Sequence, residues 1–117
     1  MKKRFIVKRQ EDFDYIIKNC KYKKNRYFVA YYKNNELNYD RYGISVGKKI
    51  GNAVKRNKCK RQLRMIIDEY RKIFQKSTDY VIILRVAAKE KSFLELREEF
   101  LKLMENIRKD LINEEKK

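Results

Sequence analysis

Histidine, tryptophan and proline are missing from this 117-residue chain, while glycine occurs three times and cysteine twice. Without histidine there is no imidazole to trade protons near neutral pH. Ser–His and Cys–His nucleophile pairs and histidine-containing metal sites go with it. That absence closes most familiar designs for a protein active site. The two thiols, Cys20 and Cys59, are too few for a zinc site and form no CxxC pair. They read as reduced thiols of an intracellular protein. Long apolar runs are absent too. Stretches such as residues 80–86 fall far short of the roughly 20 apolar residues of a membrane span. They are also too short and too far from the N-terminus for a secretory leader. The expected setting is the cytoplasm, with no membrane role.

Positive charge is abundant: 32 Lys and Arg stand against 16 Asp and Glu, a formal net charge of +16. A charge of this size needs a polyanion, and nucleic acid is a better candidate than acidic lipid. Hydrophobic residues make up 43% of the chain and aromatics 13%, which suits a packed core rather than a disordered basic tail. The length fits one domain, residues 1–117, able to fold without metal or disulfide support. The surplus is uneven. Residues 87–117 hold eight basic and eight acidic residues, so all of the +16 lies in residues 1–86. Ten of the fifteen aromatics precede Gly43. A basic, aromatic front is set against a neutral, helix-like tail.

Periodicity places the elements. A basic lead-in from Arg4 runs into a short helix ending near Asn19, with Phe13, Ile16 and Ile17 spaced by three and four behind Asp12. Residues 26–33 are strand-like, and Asn34–Asn35 supplies a turn signal. Residues 41–48 alternate as a second strand, and a hairpin between the two is expected. Asn52 caps a long helix reaching about Gln75, whose stripe is Cys59, Leu63, Ile66, Ile67, Tyr70, Ile73 and Phe74. The unbroken apolar residues 80–84 form a strand buried on both faces. Ser92 and Glu95 make a capping box for a last helix with Phe93, Leu96, Phe100, Leu103, Met104 and Ile107 inward. The reading is helix, hairpin, long helix, strand, helix, in two layers.

Residues 48–64 carry eight cations (Lys48, Lys49, Lys55, Arg56, Lys58, Lys60, Arg61 and Arg64) and no acid. At about 100° per residue, Arg56, Asn57, Lys60, Arg61 and Arg64 fall within roughly 140° of the helix circumference, beside the apolar stripe. Gly47, Gly51 and Asn52 precede them, leaving a backbone that approaches phosphates closely. A charge run is usually a solvated face. Here the like charges repel unless a polyanion neutralises them, and arginine favours bidentate phosphate contacts. RNA and DNA both remain open on this ground.

Residues 43–64, GISVGKKIGNAVKRNKCKRQLR, resemble the signature of the bacterial ribonuclease P protein family. The Arg-Asn pair, the Lys-Arg pair after it, the further Arg and the preceding Ser-Val-x-Lys-Lys strand end carry the likeness. The Asp12-Phe13 helix, the strand at residues 26–29 and that at residues 80–85 follow in family order. The resemblance implies an α+β fold, a two-layer α/β sandwich in the order α-β-β-β-α-β-α. It also implies likeness to the second domain of a small-subunit ribosomal protein, with a left-handed crossover around the long helix. That hand runs against the usual rule for parallel crossovers. The implied role is the protein subunit of the endoribonuclease that removes the 5′ leader from precursor tRNA. In that enzyme the chemistry belongs to a catalytic RNA and the magnesium it binds.

By the same resemblance Lys48, Lys49, Asn52, Arg56, Asn57, Lys58, Lys60, Arg61 and Arg64 bind the catalytic RNA. Phe13, Ile17 and Tyr31 line a cleft for the single-stranded leader, where stacking contributes roughly 1–3 kcal/mol per base. Read alone, Phe13 suits the core and Tyr31 a wet surface. Three positions depart from the family pattern. Ile17 stands where an aromatic is common and offers apolar contact only. Lys58 replaces an Arg and loses its fork, and Met65 stands where an acid is often found. No residue of the chain is expected to be catalytic or to bind metal, and no obligate protein partner is expected. A structural ribosomal protein is the alternative. A protein-only nuclease would need a convergent acidic cluster, and Asp12, Asp14, Asp68 and Glu69 are scattered.

Overall fold

A computed structural model of the chain describes residues 5–7, 9–73 and 77–115. Helix α1 (Gln10–Asn19) precedes strands β1 (Lys21–Lys24), β2 (Phe28–Asn34) and β3 (Arg41–Val46). Helix α2 (Ala53–Ile73), strand β4 (Thr78–Leu84) and helix α3 (Phe93–Glu115) complete it. The class is α+β in the expected order, with one mixed four-stranded sheet. The lead-in at Arg4 and the expected helical residues Phe74 and Gln75 lie outside the described residues.

The strands are ordered β1-β2-β4-β3. β4 pairs antiparallel with β2, from Phe28↔Leu84 to Asn34↔Thr78, and parallel with β3, from Arg41↔Asp79 to Val46↔Leu84. The hairpin expected between residues 26–33 and 41–48 therefore does not form. A strand that is apolar on both faces is poorly placed at an edge, so β4 takes the position between them. The connection over residues 35–40 spans two strand spacings, about 10 Å. Asn35 bridges the end of the inserted strand instead of making a tight turn. Its backbone N–H donates to the Ser77 carbonyl at 2.9 Å and its side-chain amide to Asp79 Oδ1 at 2.8 Å. The hairpin that does form joins β1 to β2. Asn25 closes it, its Oδ1 accepting from the backbone N–H groups of Tyr27 and Phe28 at 3.0 and 2.9 Å.

Phe28, Ala30, Tyr32, Tyr42, Val46, Tyr80, Ile82 and Leu84 form the core face of the sheet. Leu63, Ile66, Ile67 and Tyr70 of α2 cover it, together with Leu96, Phe100, Leu103, Met104, Ile107 and Leu111 of α3. Tyr42 and Tyr80 stack with centroids 4.7 Å apart, and Phe100 meets Phe28 and Tyr70 edge-on. Both predicted caps are present: Asn52 Oδ1 accepts from the Lys55 N–H at 2.9 Å, and Ser92 Oγ from the Glu95 N–H at 3.2 Å. α1 lies on the opposite face, so a helix is added to the expected two-layer packing. Arg97 of α3 grips Glu69 of α2 with both nitrogens of its fork.

Asp79, fully buried, holds the sheet end together. It accepts from Arg41 Nε at 2.9 Å, Arg41 Nη2 at 2.6 Å and Asn35 at 2.8 Å. Burial by itself raises its carboxyl pKa, but these hydrogen bonds and the Arg41 charge outweigh it and hold the group below the usual carboxylate range. A depressed folded pKa adds stability that is complete above the unfolded value of about 4 and is lost as pH falls through the folded one. Asp79→Asn is expected to lower stability by about 3 kcal/mol at pH 7, measured by urea unfolding. The gap should shrink below about pH 4; a gap of constant size down to pH 2 would contradict this ion pair.

Candidate RNA interface

The turn from β3 into α2 sets the first surface. Val46 and Ile50 are anchored in the core, and Lys48 and Lys49 between them are exposed. Gly51 has φ +155°, a conformation that side chains rarely tolerate, and Asn52 follows as the helix cap. Gly47 has an ordinary extended backbone and open surroundings, so conformation does not require glycine there. Along α2 the core side holds Leu63, Ile66, Ile67 and Tyr70. On the adjoining side Asn57, Lys58, Arg61 and Arg64 are exposed, and Arg56 and Lys60 are half-buried.

Among the described residues Lys48, Lys49, Arg56, Lys58, Lys60, Arg61 and Arg64 pair with no carboxylate, whereas Lys55 reaches Glu90 at 3.7 Å. Two turns beyond Arg64 the same side of the helix changes use. Arg71 donates to buried Asp40 at 2.9 Å and lies over the Phe5 ring, 3.6 Å from its centre. One end of the helix commits its arginine to the fold, and the other, apart from Lys55, leaves its cations without acidic partners among the described residues.

A second surface lies on the sheet face opposite α2 and α3. Side chains alternate along strands, so the register sets Tyr22, Tyr31, Val81 and Gly43 in one row across the sheet. Lys24, Val29, Ile83 and Ser45 form the next row. α1 crosses this face with Ile16 fully buried. Phe13 lies over Gly43, where a Cβ would come within 2.5 Å of its Cζ. Phe13, Val29, Tyr31, Ile83 and Ser45 remain half-buried, and Ile17, one turn along α1 from Phe13, is 38% exposed.

The predicted Phe13 and Tyr31 thus share a face with Ile17 at its rim. The residues that sequence reasoning missed are Val29, Ile83 and Lys33, whose Nζ lies 5.5 Å from the Tyr15 ring centre. Alternation from Tyr31 pointed to Val29 and Lys33. Ile83 needed the pairing of β4. Half-buried aromatic and aliphatic groups beside a cation have the chemistry to stack unpaired bases and neutralise their phosphates. Among the described residues no three carboxylate, thiol or imidazole groups come together as a metal cage. The buried carboxylates Asp40 and Asp79 are each engaged by arginine.

Residues 1–108 match the family model described as Ribonuclease P. The chain is 47% identical over 105 residues to the ribonuclease P protein component of Mesoplasma florum, covering 89% of this chain and 96% of that protein. The RNase P protein of Staphylococcus aureus has a similar structure, with TM-score 0.82 at 35% identity over 88% of this chain and 94% of that one. That of Thermotoga maritima gives 0.77 at 36% identity, over 83% and 92%.

The contact between Phe13 and Gly43 is testable by itself. Gly43→Ala is expected to lose about 1–3 kcal/mol of stability by overpacking. In a Phe13→Ala background the same change should lose close to nothing, because the obstructing ring is gone. Equal losses in both backgrounds would place the strain elsewhere.

Proposed function

The chain belongs to the ribonuclease P protein family, the protein component of the ribonucleoprotein that matures the 5′ end of tRNA, and from that premise we propose how its two surfaces divide the work. The α2 surface (Lys48, Lys49, Asn52, Arg56, Asn57, Lys58, Lys60, Arg61 and Arg64) binds the catalytic RNA. The α1–sheet cleft (Phe13, Ile17 and Tyr31) receives the single-stranded leader of precursor tRNA. The chemistry stays with the RNA and its magnesium. Consistent with this division, the buried carboxylates among the described residues, Asp79 and Asp40, are held by Arg41 and Arg71. Family membership replaces the alternative of a structural ribosomal protein.

The reading also takes residues 1–117 as one domain, working in the cytoplasm without an obligate protein partner. Among the described residues no helix is long and apolar enough to cross a membrane. The β3–α2–β4 connection is taken as left-handed, like that of the second domain of a small-subunit ribosomal protein.

One observation carries the proposal: among the described residues seven cations have no acidic partner, Lys48 and Lys49 in the turn and five on α2, whose other side is locked in the core. A solvated face would not need arginine at positions 56, 61 and 64. Arg56→Ala and Arg61→Ala are each expected to weaken assembly with the catalytic RNA. Each should also flatten the slope of log affinity against log salt by about one, while the thermal midpoint stays near that of the parent. Unchanged affinity and slope in both variants would make this surface a solvated face.

A further inference from the structure

Tyr22 stands on edge strand β1, beyond the residues assigned to the leader. It is the direct cross-strand partner of Tyr31, and the two rings lie 5.3 Å apart at a tilt of 45°. Such a pair stabilises an edge strand, yet Tyr22 remains 53% exposed. The rest of β1 is lysine: Lys21, Lys23 and Lys24. Edge lysines discourage strand addition, a purpose that an open aromatic ring works against. On the cleft face Lys24 is exposed one register step from Tyr22, and Lys33 is half-buried two residues beyond Tyr31. An open ring between two cations is the arrangement that takes a base by stacking and its phosphates by charge. The 5.3 Å spacing is too small for a base between the rings, which needs about twice the 3.4 Å stacking rise. Tyr22 therefore offers its outward side.

We propose that Tyr22 is a further stacking platform for an unpaired base of the substrate strand, one position beyond Tyr31, so that the bound strand leaves the cleft across β1. This rests on the leader-binding reading above. It adds a subsite that shorter leaders do not reach.

The test uses the protein assembled with its catalytic RNA and precursor tRNAs whose leaders lengthen stepwise from a single nucleotide. Tyr22→Ala is expected to weaken binding of long-leader substrates by about fivefold or more and leave the shortest leader unaffected. Tyr22→Phe should behave as the parent. Tyr22→Thr keeps strand propensity without the ring and should repeat the alanine result, which separates stacking from loss of β1. Tyr31→Ala should show its loss at shorter leader lengths than Tyr22→Ala. A Tyr22→Thr variant that binds every substrate like the parent, or loses equally at every length, overturns the Tyr22 subsite. If Tyr31→Ala still shows a leader-dependent loss, the cleft reading survives that failure. If neither variant depends on the leader, both fall together.

Discussion

A strand that carries Tyr80, Val81, Ile82, Ile83 and Leu84 in succession has no polar face to give to water. Both of its edges and both of its faces must be covered, and the chain is arranged to do so. β2 and β3 take the edges, α2 and α3 cover one face, and α1 crosses the other. Because β3 and β4 run parallel, the connection between them must return along the length of the sheet, which one long helix does. α2, 21 residues long, is thereby docked on one side through Leu63, Ile66, Ile67 and Tyr70 and open along another. The cleft has the same origin. α1 is only ten residues long and leaves the second row of its sheet face half-covered. Both proposed RNA surfaces are thus by-products of burying one strand.

The net charge of +16 divides by position. Arg41 and Arg71 are drawn inward to neutralise Asp79 and Asp40, and Arg97 ties α2 to α3 through Glu69. These arginines hold the fold; Asp79 and Asp40 lack the water that would weaken the pairing, whereas Arg97 and Glu69 stay partly exposed. The cations from Lys48 to Arg64 have no such partners among the described residues, apart from Lys55. Their mutual repulsion is relieved by binding a polyanion. Tyr42 and Tyr80 mark the other extreme. Burial raises both hydroxyl pKa values well above the usual phenol range, so neither ionises in the core.

Local chemistry was legible in the sequence. The capping asparagine, the Ser92–Glu95 box, the α3 stripe and the doubly buried strand each follow from spacing within one element, and each is present. The α2 stripe is present as far as Tyr70; Ile73, expected to continue it, is exposed in the last turn of the helix. The pairing of strands was not legible. Asn34–Asn35 reads equally as a tight turn or as a longer bridge, and only the insertion of β4 decides between them. β1 was invisible in the periodicity, because Lys-Tyr-Lys-Lys has a single apolar residue and its partner lies across a turn, and only the resemblance implied a third strand before the long helix. The same contrast holds for the sites. The α2 arc of Arg56, Lys60, Arg61 and Arg64 obeys the helical period, so its place on one side of the helix was readable. The cleft joins residues of α1 to residues of β2, and resemblance alone brought Phe13 and Tyr31 together before the fold did. Tyr22 became visible only once β1 was paired.

The central claim is that this chain holds RNA while RNA performs the cleavage. Its most direct test is cleavage of precursor tRNA by the protein, by its cognate catalytic RNA and by the two together, across a magnesium titration. The protein alone should cleave nothing at any magnesium concentration. The RNA alone should need high magnesium, and the assembled pair should cleave at low magnesium. Metal-dependent cleavage by the RNA-free protein, or a magnesium requirement unchanged by adding it, would contradict the claim.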